Sequence, residues 1–164
     1  MTLLTQKLST LVLFFVVFGV STALAQTNDN QVPFTASGTG VLTGVTKLPG
    51  GLTLLNFIGS GNATHLGDYI APAARIEDNQ GNFNSTAVII GSNEKDSVFF
   101  SVSGRFETSK DKCVGISTGT YIVTGGTGAF ANATGSGIYE AVRDVCTASG
   151  THMYTGTISK PNSN

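Results

Sequence analysis

After Gln26 no segment repeats apolar residues at i, i+3, i+4 and i+7 over three turns, so nothing there is patterned for an amphipathic helix. Short runs rich in Thr, Val, Ile, Phe and Tyr alternate instead with clusters of Gly, Asn and Asp, which is how an all-β chain reads. Strand segments are expected at Phe34–Thr46, Leu52–Gly61, Thr64–Ile70, Ala73–Glu77, Phe83–Gly91, Ser97–Phe106, Ser117–Thr124, Gly135–Arg143 and Met153–Ser159. Leu48-Pro49-Gly50-Gly51 breaks the first pair, because proline lacks a donor and glycine accepts positive φ. Residues 77–81 and 92–96 read as solvated hairpin turns.

The distribution of residues between strand faces narrows the architecture. In Ser97–Phe106, Val98, Phe100 and Val102 share one face, opposed by Phe99, Ser101, Ser103 and Arg105. In Leu52–Gly61 both faces are apolar, with Leu54, Asn56 and Ile58 opposing Leu55 and Phe57. That suits a wall packed outside as well as inside. Glycines inside strands (Gly38, Gly40, Gly44, Gly59) cost stability unless the backbone must bend sharply, as at barrel corners. The predicted fold is therefore all-β: one small closed antiparallel β-barrel of about eight strands, with room for a small ligand, preceded by a signal-peptide helix.

Residues 1–25 have the plan of a secretory leader. Lys7 precedes the apolar run Leu11–Val20, and Ala23-Leu24-Ala25 supplies the small residues a signal peptidase reads. Cleavage before Gln26 leaves residues 26–164 as one barrel domain, secreted or periplasmic, with no membrane attachment after processing. The whole chain has 164 residues, 40% hydrophobic and only 12% charged, with net charge −1. That balance argues against disorder and against a nucleic-acid partner, whose phosphates demand a basic face.

Cys113 and Cys146 both fall in the exported part, where a disulfide is the expected state. Neither has a CxxC partner, and neither His65 nor His152 has a second ligand at i+2 or i+4, so no metal or other cofactor is expected. Two catalytic patterns occur and fail on context. Gly126–Ala131 satisfies a dinucleotide fingerprint but lacks the following helix, and Gly115-Ile116-Ser117-Thr118-Gly119 matches a nucleophile elbow but opens a strand. Seven Thr-Gly pairs recur at irregular intervals, which excludes a solenoid.

The most distinctive stretch runs from Thr120 to Val142 (TYIVTGGTGAFANATGSGIYEAV), where Gly125, Gly126, Gly128 and Phe130 build a turn between two strands. The glycines permit positive φ and Phe130 can plug a barrel end. This segment resembles the strand–GGTGxF–turn–strand unit of allene oxide cyclase and dirigent-protein barrels. Tyr154-Thr155-Gly156-Thr157-Ile158 is similar to their last strand, and Ala63-Thr64-His65-Leu66-Gly67 to secreted relatives. The resemblance implies an eight-stranded antiparallel barrel around an apolar cavity, and a homo-oligomer as one form of the protein. Catalytic allene oxide cyclases carry a glutamate on the first barrel strand, whereas Phe34–Thr46 contains no carboxylate.

The expected partner is a small hydrophobic ligand, in a cavity lined from among Leu54, Asn56, Phe57, Phe99, Phe100, Phe106 and Tyr121, with at most one charged group inside. Alternation lets only one of Phe99 and Phe100 point inward. The one candidate catalytic residue is Glu140. It is either an inward carboxylate beside Tyr121 and Asn56, usable for proton transfer, or an outer-face residue paired with Arg143. Three functions follow: a binding or steering barrel without turnover, a cavity isomerase or cyclase, and a structural or adhesive protein with a filled barrel.

Overall fold

The computed structural model describes residues 30–110 and 112–162. The expected signal peptide lies outside them. Eight strands follow one another around a single closed antiparallel barrel: β1 (Gln31–Lys47), β2 (Thr53–Ala63), β3 (Gly67–Glu77), β4 (Asn82–Gly91), β5 (Ser97–Thr108), β6 (Val114–Thr127), β7 (Gly135–Asp144) and β8 (Ser149–Ser159). β1 and β8 pair from Gln31–Ser159 to Val41–Ser149, so the sheet closes on itself and has no free edge.

The nine expected segments become eight strands because residues 73–77 continue the strand that passes through Pro72. Pro72 faces Ile58 across the β2–β3 ladder, and the β3–β4 ladder is interrupted between its Ile70–Ile90 and Ala73–Ala87 pairs. A missing donor on one side interrupts one ladder without ending the strand. The preceding turn falls later than expected: Thr64–Leu66, read as the start of a strand, reverse the chain, with His65 at φ 67° and Gly67 at φ 70°.

Large side chains fill one end of the barrel. Phe34, Phe100, Tyr121, Ile89, Val98 and Ile158 are fully buried there. The ring of Phe100 lies 5.8 Å from that of Phe34, 5.5 Å from Tyr121 and 5.0 Å from Tyr154. The GGTGAF turn closes this end. Gly128 takes φ 58°, the Ala129 amide donates to Asp96 Oδ1 at 2.8 Å, and Phe130 is 2% exposed. That amide bond holds the Asp96 carboxyl below the usual carboxylate range.

The outer wall differs from the expectation of packing on both sides. Ile58, Ile70, Ile122 and Ile138 stand on it with 40–57% of their surface exposed.

Candidate functional site

At the other end of the barrel the inward positions are small. Gly40 on β1, Gly59 on β2, Ala71 and Ala73 on β3, Ala87 on β4 and Ala141 on β7 leave a partly open cavity of about 90 Å³. Gly59 is required by a close approach, since a Cβ there would stand 2.9 Å from the His152 ring. The cavity lies on the side of the loops that join β5 to β6 and β7 to β8. The disulfide Cys113–Cys146 ties these two loops together, with 5.2 Å between the Cα atoms.

Two arginines enter this space from opposite walls. Arg75 shares the inward parity of Tyr69, Ala71 and Ala73, and Arg143 that of Tyr139 and Ala141. The Arg75 guanidinium lies 3.8 Å from the centre of the Phe83 ring, and that of Arg143 lies 4.3 Å from Phe106. Phe57 stands between them, 5.6 Å from one and 5.8 Å from the other. Cation–π contact stabilises charges withdrawn from water. Arg75 is 5% exposed; its Nη1 donates to Ser117 Oγ at 3.1 Å and lies 3.5 Å from Glu77 Oε2.

The cluster is under-satisfied. Arg75 Nε, Glu77 Oε2, and both Nε and Nη1 of Arg143 are buried without a hydrogen-bond partner among the described residues. Burial lowers the Arg143 pKa, and the neighbouring Arg75 charge lowers it further, while Glu77 opposes the shift. Beside the pair, burial raises the Tyr139 pKa, and the Arg75 charge pulls it back.

His152 completes the lining from β8, with Nε2 2.7 Å from the Tyr69 hydroxyl. Burial depresses the imidazole pKa and pushes Tyr69 up to about 12. Both groups are therefore neutral at pH 7. With the phenol as donor, the imidazole accepts at Nε2 and carries its ring proton on Nδ1.

The residues expected to line the cavity are distributed differently. Phe57 lines it. Leu54 and Asn56 occupy the opposite face of β2, outside the lining. Phe99 points outward and Phe100 inward, in step with the buried Val98 and Val102, while the bulge between their partners Gly125 and Val123 falls on β6 at Thr124. Phe100 and Tyr121 belong to the aromatic plug rather than the cavity wall, and Phe106 underlies Arg143. Glu140 is exposed on the outer face, opposite Thr118 and Met153. It shares no face with Arg143, because positions 140 and 143 have opposite parity. Three charged side chains, Arg75, Glu77 and Arg143, stand in the interior where at most one was expected. Parity could have found both arginines, since each follows a run of small or aromatic residues at alternate positions.

No family model matches the chain, and no curated protein matches it. Among solved structures, the pterocarpan synthase dirigent protein GePTS1 is similar over 96% of this chain and 98% of its own, with a TM-score of 0.51 at 15% sequence identity. The fold is that of a dirigent-like barrel. Within that fold, this dirigent-like barrel encloses aromatic side chains at one end and a cationic cavity at the other.

Proposed function

We propose that this dirigent-like barrel is an exported protein that holds or steers a small ligand in its interior without turning it over. The observation that carries the reading is the uneven filling of the barrel. One end is closed by packed rings, while small inward residues leave about 90 Å³ at the other. A dry cavity of about 150 Å³ takes a benzene ring. This one therefore suits the body of a short or single-ring ligand, part of which emerges at the mouth. The leader-like residues 1–25 and the disulfide support export.

Calorimetric titration with benzyl alcohol, a neutral single-ring probe, tests this reading. Saturable binding at about millimolar Kd is expected, in keeping with so few buried atoms. Ala73→Leu, which fills the lining from β3, should abolish it while the melting transition persists. Absence of saturable binding by the native protein would favour a filled structural barrel instead.

A further inference from the structure

We infer that the cavity receives the carboxylate of a small monocarboxylic acid, with Arg143 as its direct partner and Arg75 as the second positive pole. The inference rests on the cavity reading above and specifies the chemistry of the ligand. It starts from a charge count. Arg75 and Arg143 bring two positive charges into the barrel, and Glu77 supplies one negative charge among the charged side chains of the cluster. Arginine does not shed its proton to relieve such an excess. One further negative charge balances the cluster, and a dianion such as phosphate over-compensates it.

The hydrogen-bond count agrees. Arg75 is nine-tenths buried and lines the cavity, with its Nε unpartnered, and Arg143 lines it with Nε and Nη1 both unpartnered. The unpartnered Nε and Nη1 donors of Arg143 point to different edges of its guanidinium, and a carboxylate oxygen at either edge accepts a charge-assisted bond that the protein itself does not supply. Glu77 lies 3.5 Å from Arg75 and reaches Arg143 only through its field, whereas the contacts of the Arg143 guanidinium among the described residues are with the rings of Phe106 and Phe57. Rings stabilise the charge but accept no N–H bond in the guanidinium plane. The neighbouring walls of Ala141 and Phe57 supply an apolar seat for the body of the acid.

A purely structural role for Arg143, as a lid stacked on Phe106, predicts the opposite response to mutation. Replacing it by methionine would leave the neutral Arg75–Glu77 pair and remove a like-charge contact, so folding should not suffer if its role is ligand capture.

The test is calorimetry on the full secreted protein with benzoate and with benzyl alcohol at pH 7 and low salt. Benzoate is expected to bind about tenfold or more tightly than benzyl alcohol. Arg143→Met should erase that advantage, lowering benzoate affinity about tenfold relative to benzyl alcohol affinity, and keep or raise the melting temperature. Arg143→Lys, which keeps the charge but not the fork, should give an intermediate preference. Equal affinities for the two probes in the native protein would overturn the carboxylate inference and leave the cavity reading standing. Binding of neither probe would remove the cavity reading itself. A benzoate preference that survives Arg143→Met would overturn the role of Arg143, as would a variant that loses stability along with affinity.

Discussion

The Tyr69 hydroxyl stands 2.7 Å from His152 Nε2 on the inner wall of the barrel, joining β3 to β8 across strands that do not pair. The glycine at position 59 makes room for the ring between them. The pair is neutral because both partners are withdrawn from water, and each neutral form is the one the other needs.

This sets a pH dependence with a definite sign. Burial holds the folded His152 pKa below the unfolded value of about 6.5. As pH falls below that value, the unfolded chain takes up the proton first, so stability is lost until the folded pKa is passed. Melting temperature measured from about pH 8 to about pH 5 should decline over this window. His152→Gln, whose side-chain oxygen can still accept from Tyr69, should flatten the decline. An equally steep profile in that variant would assign the dependence to other groups.

The disulfide joins two loops at the cavity end with a sequence separation of 33. A closed loop of that size stabilises by about 3–4 kcal/mol in the chain-entropy model. Replacing both cysteines by serine should lower the unfolding free energy by about that amount in a urea titration. The loss should be larger than any single surface substitution produces, because it acts on the unfolded chain as well as on the loops. A double variant with the native midpoint would mean that the loops are already constrained without the bond.

Adjacent phenylalanines provide a contrast on one strand. Phe100 is 2% exposed and touches three other rings, so Phe100→Ala should cost about 3–5 kcal/mol. Phe99 lies on the outer face beside Gly125, and Phe99→Ala should cost about 1 kcal/mol or less. Chemical denaturation of the two variants checks both values together. Similar losses would contradict the alternation that places them on opposite faces.

Strand parity was legible along most of the chain, and it carried the fold. Alternation in Ser97–Phe106 marked Val98, Phe100 and Val102 as one face, and that face is the buried one. The GGTGAF stretch announced a turn, and Phe130 is buried beneath it. The candidate site was less legible, for a physical reason. A cavity is a difference between inward side-chain volumes on several strands, so no single segment reports it. Leu54 and Phe99 are apolar and looked suited to a lining, but apolar residues stand on both sides of this wall. Arg143 was read beside Glu140 as an outer-face residue because charges usually are solvated, and Arg75 was not singled out, although the parity of both pointed inward.

The sequence by itself determined that the chain forms strands, that they close into a barrel and that its two cysteines pair, because these follow from local periodicity, turn chemistry and an even cysteine count. Only the tertiary structure decided what the barrel encloses. It brought Arg75 from β3 and Arg143 from β7 to the same cavity, 68 positions apart in the sequence, over three phenylalanine rings from β2, β4 and β5. Charges on separate strands acquire a common electrostatic environment only when closure places them around one low-dielectric space, and no local pattern encodes that meeting.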